Sequence, residues 1–129
     1  MTNVRIEFDE NGMLSAMRKA NAKALRRAGA YVRKTAVNAV SRSSKASQPG
    51  TPPNTRKGLL KRSILFGVDK ERQAVVIGPA KSLIGISMIA HEFGGMYRRR
   101  KYPKRPLMGP SLLKAAPQLS RLWENALKP

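Results

Sequence analysis

From Met13 to Ala39 the chain runs for about 26 residues without a proline, and small or apolar side chains recur at three- and four-residue steps. Leu14, Met17, Asn21, Ala24, Leu25, Ala28, Val32, Thr35, Ala36 and Ala39 share one face of the implied helix. Arg18, Lys19, Lys23, Arg26, Arg27, Arg33 and Lys34 lie mainly on the others. A helix of this length occupies a large share of a 129-residue chain, so the rest must be built to cover its apolar stripe. The alanines on that stripe suit close packing against a sheet or a second helix. Gly29 costs about 1 kcal/mol of helix propensity relative to Ala, which a close contact on its face would explain.

Elements on either side follow from local chemistry. Val4, Ile6 and Phe8 alternate with charged residues and predict a short strand over 1–9, closed by a turn at Asn11-Gly12. Ser41 to Lys57 is rich in Ser, Pro and Gly and predicts a flexible loop of about 17 residues, long for a routine connection. Arg42, Lys45, Arg56 and Lys57 make it basic, and suit it to face DNA or a neighbouring subunit. A helical turn from Leu59 then leads into a strand around Ile64-Leu65-Phe66. Asp69 to Arg72 is a polar turn, and Ala74 to Ile77 is a second strand ended by Gly78-Pro79. Ser82 to Phe93 fits a short helix or a buried strand equally. Tyr97 to Lys101 predicts a hairpin edge, since a run of four charges does not sit buried. The last helix is expected from Pro110 to Leu127, with Leu112, Leu113, Ala116, Leu119, Leu122, Trp123 and Ala126 inward and a kink or split at Pro117. The whole reads as one α+β domain, residues 1–129: a long N-terminal helix packed on a small antiparallel β-sheet, with a C-terminal helix.

The charge is as uneven as it is high. Lys and Arg number 26 against 7 Asp and Glu, and every charged residue from Asn11 through Val68 is basic. A net charge of +19 favours polyanionic partners, either DNA or acidic proteins in an assembly. No helix-turn-helix, zinc finger or aromatic stacking motif points to sequence-specific DNA reading. No run of about 18 apolar residues predicts a membrane span, and the acidic start is unlike a secretory signal. The expected place of synthesis is the cytoplasm, which the lack of cysteine fits.

Signals for chemistry are weak. His91 is the lone histidine and cysteine is absent, so no metal cluster is expected within one subunit. Ser63, His91 and Glu92 could be drawn as a triad, but no nucleophile elbow or oxyanion site accompanies them. No phosphate-loop glycine motif is present. The expectation is a protein without catalytic residues or cofactors.

What the sequence does carry is an ordered set of three motifs. Glu92-Phe93-Gly94 is followed by a basic stretch, then by Pro103-Lys104-Arg105-Pro106-Leu107-Met108-Gly109-Pro110 and a helix. Upstream stand a long amphipathic helix and Gly58-Leu59-Leu60-Lys61-Arg62-Ser63-Ile64. From about Met13 to Leu127 this order resembles the tail-completion, or head–tail joining, proteins of long-tailed bacteriophages (minor tail protein Z type). The departures are Leu107 where the family tends to carry Phe, Lys57 where Thr is common, and Gly95 where Thr often follows the glycine.

The resemblance implies a structural virion-assembly protein that acts at the head–tail junction after assembly in the host cytoplasm. It implies a homo-oligomeric ring, six-fold by expectation, around the channel through which DNA passes. Tail tube or terminator and head-connector proteins would be its partners; its state before assembly, monomer or oligomer, stays open. Glu92, Phe93, Arg98, Arg99, Arg100, Lys101 and Arg105 are the candidate subunit or partner interface. The alternative function is a small basic protein that binds nucleic acid without sequence preference.

Overall fold

The computed structural model describes residues 10–85 and 87–127; the strand expected over 1–9 lies outside them. The first helix, α1, runs from Glu10 to Ala39 and so begins earlier than its periodicity suggests. Asn11 and Gly12, expected as a turn, lie in its first turn instead. The N–H groups of a first helical turn have no intrahelical partner, so poor helix formers cost little there.

A thin core forms along α1. Ala24, Leu25, Ala28, Val32 and Ala36 are buried, and Val40 just beyond the helix is buried with them, whereas Ala39 is exposed. A helical turn, α2 (Leu59–Ser63), leads directly into β1 (Ile64–Asp69), which pairs antiparallel with β2 (Ala74–Pro79). The register sets Phe66 opposite Ile77 and Val68 opposite Val75. This hairpin lies across α1 at Gly29, where an added Cβ would stand 2.5 Å from Phe66 Cδ2 and 2.9 Å from Val75 Cγ2. A close contact that accounts for Gly29 is therefore present. Arg33, half-buried on α1, fastens the start of β1 by donating from Nε to the Ile64 carbonyl at 2.6 Å.

The ambiguous stretch after β2 resolves into two short helices, α3 (Lys81–Ile84) and α4 (Ser87–Phe93). Gly94 (φ 73°) and Gly95 (φ 126°) then turn the chain into a second hairpin, β3 (Gly95–Tyr97) with β4 (Arg100–Tyr102). Both angles favour glycine strongly. The expected small antiparallel sheet thus comes as two separate two-stranded hairpins, and α1 packs on the first.

The final helix, α5, spans Met108–Leu127 and lies along α1. It is continuous through Pro117, where a kink or split was expected. Pro117 and Leu113, whose carbonyl loses its helical donor, both face outward, so that carbonyl stays open to water. The expected inward face is rotated. Ser111 and Ala115 are buried and Leu119, Leu122, Trp123 and Ala126 half-buried, while Leu112, Leu113 and Ala116 are exposed. The close crossing with the alanine stripe of α1 admits small side chains and leaves larger ones outside. Trp123, expected in the core, is half-buried and donates from Nε1 to Asn21 Oδ1 at 2.8 Å. Asn21 in turn donates to Gln73 Oε1 in the β1–β2 turn. The polar residue on the apolar stripe therefore bridges three elements. Ile64, Leu107, Val40, Leu60 and Ala36 close the core, with Ile77, Ile84 and Met88 packed around them.

Candidate assembly and polyanion interface

Segment 41–57, expected to be a flexible basic loop, has a hydrogen-bonded base. Arg42 and Thr55 form a parallel bridge, with Ser43 N donating to Thr55 O at 3.0 Å and Thr55 N to Ser41 O at 2.9 Å. Thr55 is buried, and its hydroxyl accepts the Leu60 N–H, tying the loop to α2. The tip is tethered across the molecule, where Gly50 N donates to Lys104 O at 2.7 Å. Nearby, Arg105 Nε donates to Ser47 O at 2.8 Å, and Arg105 N donates to His91 O at 2.6 Å. Arg105 thus clamps loop 41–57 to α4 from a half-buried position.

This clamp ties loop 41–57 to the linker that follows the basic hairpin. Arg42, Lys45, Arg56 and Lys57 stand exposed on the loop. Arg56 and Lys57 line a groove of about 550 Å³ that Arg62, Met88, His91 and Arg105 also line. The linker that tethers the loop comes straight off β4, whose hairpin carries Arg98, Arg99, Arg100 and Lys101, all exposed.

The hairpin tip is unusual in conformation. Arg98 and Arg99 occupy the two turn positions with φ of 50° and 64°, a region in which Asn and Gly are favoured. The Arg98 guanidinium lies 5.4 Å from the Tyr97 ring centroid. Tyr97 leans on Tyr102 at 6.1 Å, and Tyr102 meets His91 edge-on at 5.1 Å. Rings therefore connect the half-buried histidine to the charged tip.

Glu92 and Phe93, adjacent in sequence, part company in space. One Glu92 oxygen accepts the N–H groups of Leu107 (2.9 Å) and Met108 (2.7 Å), and the other accepts that of Gly109 (3.2 Å). The carboxylate caps the start of α5, where free N–H groups and the helix dipole favour negative charge. Its hydrogen bonds therefore run to backbone and not to the Arg98–Lys101 run. Phe93 is 76% exposed and, with Ile89 at 63%, lines an apolar groove of about 340 Å³ with Pro79, Met88 and Met108.

Of the residues weighed for chemistry, Ser63 and Glu92 have hydrogen-bond partners. Ser63 is buried, and its hydroxyl donates to Leu60 O at 2.7 Å. His91 Nδ1 is buried without a hydrogen-bond partner. Burial first, and the Arg105 guanidinium second, push its pKa below the usual imidazole value of 6.5. Among the described residues no group of three or more His, Cys, Asp or Glu side chains could hold a metal ion. No helix among them is long and apolar enough to cross a membrane.

Sequence reasoning missed the cap, the Arg105 clamp and the exposure of Ile89. Glu92 lies fifteen residues or more from its partners, and no local motif marks such a pairing. For Ile89 a signal existed, since it stands one residue from the buried Ala90 on a helix too short to bury both faces. No protein-family model, curated protein or solved structure matches this chain.

Proposed function

We propose that this chain is a structural subunit of a tailed-phage virion, which completes the tail or joins it to the head connector as part of a ring around the DNA channel. The supporting observation is the imbalance between its core and its surface. Among the described residues the large buried apolar side chains are Leu25, Val32, Val40, Leu60, Ile64 and Leu107. Outside stand a larger number, among them Val76, Ile89, Phe93, Met96 and Leu113. Apolar surface on this scale marks interaction sites.

Two of these surfaces suit subunit contacts. The β1–β2 hairpin is covered by α1 on one face only. On the other, Leu65 and Val76 stand opposite Gly78 and Gly67, giving ridges beside gaps that a partner can fill. The Ile89–Phe93 groove is the second. The motif order along the chain supplies the phage setting, and the exposed basic hairpin suits a DNA-filled lumen.

Electron microscopy of lysates from a phage or prophage lacking this gene tests the reading. DNA-filled heads and separate tails should accumulate, and the purified protein should join them. Phe93→Asp, which places a charge in the apolar groove without touching the core, should fail to join them. Intact infectious virions from the deletion would overturn the proposal. The second reading, a free nucleic-acid-binding protein, draws on the four exposed charges of Arg98–Lys101, and tight duplex binding with no joining activity would favour it.

A further inference from the structure

The β3–β4 turn sets two arginines where the backbone prefers Asn-Gly. Arg98 and Arg99 both have positive φ, and Tyr97 pairs with Arg100 directly below them. A two-residue turn of this kind is most stable with Asn or Gly at both central positions. Stability of the hairpin therefore gives no reason for two long cationic side chains there. Strained residues that the surroundings hold in place cluster where they serve a contact.

Three further observations indicate what that contact is. Arg98 lies over the Tyr97 ring, and the Tyr97–Tyr102–His91 contacts anchor that ring to α4, so the guanidinium is held before any ligand arrives. Among the described residues none of the four basic side chains has an acidic partner. The four residues from Arg98 to Lys101 offer no apolar side chain, whereas a protein interface needs a water-excluding core. Met96, paired with Lys101, is a single exposed apolar side chain below the tip, and the larger apolar surfaces lie at Ile89 and Phe93 and on the outer face of the β1–β2 hairpin. A two-stranded ribbon is narrow enough to enter the major groove, and arginine forks match phosphate oxygens.

We propose that the tip formed by Arg98 and Arg99, backed by Arg100 and Lys101, is a phosphate-binding finger that grips the backbone of duplex DNA without reading its sequence. The finger rests on the proposed function for its setting, a ring through which DNA passes. Its binding test stands apart from that setting.

The test uses the full chain and a mixed-sequence duplex, with affinity followed by fluorescence anisotropy over a series of salt concentrations. The informative variant is Arg98→Asn with Arg99→Gly, which removes two charges while giving the turn its favoured residues. Its fold should be kept or strengthened, and circular dichroism and thermal melting check that. Each phosphate contact contributes about −0.9 to the slope of log K against log salt, so the slope should become shallower by about 1.8. Affinity at low salt should fall on the order of tenfold or more.

Lys19→Gln with Lys23→Gln removes the same charge from the exposed side of α1 and should change the slope far less. Arg98→Lys with Arg99→Lys keeps the charge and should hold the slope near that of the parent. Equal losses from the α1 pair and the tip pair would overturn the finger, because net charge alone would then explain binding. So would a parent protein that does not bind duplex, or an Asn-Gly variant with unchanged slope. A parent that binds an acidic tail or connector protein through the tip, and not the duplex, would also overturn it. Duplex binding that depends on the tip, in a protein that fails to join heads to tails, would leave the finger standing and sink the assembly reading.

Discussion

Where α1 crosses the β1–β2 hairpin, side-chain packing holds the structure. Gly29 lets Phe66 and Val75 come close, and the polar link from Arg33 to Ile64 O sits at the margin. Around α4, the β3–β4 hairpin and the start of α5, the balance is reversed. Loop 41–57 is fixed by Arg105 and Lys104, and α5 is fixed by Glu92, through bonds from or to backbone groups. Ala90 and Leu107 of this second region are buried, but Ile89, Phe93 and Met96 point out instead of in. The contrast shows that one chain can divide its labour: a region closed by packing holds the shape, and a region closed by polar clamps leaves part of its apolar surface exposed.

The largest effect should come from the clamp end. Glu92→Ala strands three N–H groups at the start of α5, those of Leu107, Met108 and Gly109, two of them part-buried, and removes the charge facing the helix dipole. Bonds to charged groups contribute about 1.5–3 kcal/mol each and are not additive, so a loss of about 3 kcal/mol is expected in denaturant unfolding. Glu92→Gln keeps the oxygen that serves Leu107 and Met108 and should lose about half as much. A cost below about 1 kcal/mol for Glu92→Ala would mean that packing, not the cap, holds α5.

At the packing end Gly29→Val should cost about 2 kcal/mol, because its Cβ alone would overlap Phe66 and Val75. Gly29→Ala should cost less, since about 1 kcal/mol of helix propensity offsets part of the strain. The melting temperature reads both, and a neutral Gly29→Val would show that the hairpin can shift off α1.

These two sites also mark the limit of what the sequence made legible. Gly29 is suspect from sequence because a glycine inside a strongly periodic helix needs a reason, and periodicity located α1, both strands of the first hairpin and α5. Periodicity did not fix the rotation of α5. Leu112, Leu113 and Ala116 make as good a stripe on paper as Ser111 and Ala115, and only the close approach of α1 chooses between them. The candidate site was legible as a list of charges at Arg42, Lys45, Arg56, Lys57 and Arg98–Lys101. Its geometry was not, because it depends on Glu92 and Arg105 reaching backbone groups fifteen and fifty-eight positions away. Side-chain to backbone pairings at that range leave no periodic trace.

A smaller effect sharpens the boundary between the regions. Arg33→Met keeps much of the aliphatic stem but leaves the Ile64 carbonyl without its donor. Ile64 is fully buried, so a loss of about 1–2 kcal/mol is expected. Hydrogen exchange should show the first residues of β1 opening more readily, with the β3–β4 hairpin unchanged. Faster exchange in both hairpins would mean that the two regions unfold as one unit.

The smallest effect is a dependence on pH that belongs to the clamp end alone. His91 is half-buried between Tyr102 and the Arg105 clamp, and its folded pKa lies below 6.5, chiefly through burial and then through Arg105. In the unfolded chain the imidazole takes its proton near 6.5. Between the two values the unfolded state binds more protons, so stability falls as pH drops through that window. Above about 6.5 both states are neutral at this site, and below the folded pKa both are charged, so the contribution is flat on either side. His91→Phe, which keeps an aromatic edge for Tyr102, should abolish this dependence in denaturant midpoints taken across the window. Arg105→Met removes only the lesser cause and should keep part of it. The packing end carries no histidine, so hydrogen exchange there should follow pH only through the global unfolding it shares with the rest of the chain, whereas loop 41–57 should loosen first as His91 gains its proton beside Arg105. Simultaneous loosening at Gly29 and at Ser47 would erase the distinction between the two ends, since a proton placed beside the clamp would then be felt equally by the packed crossing.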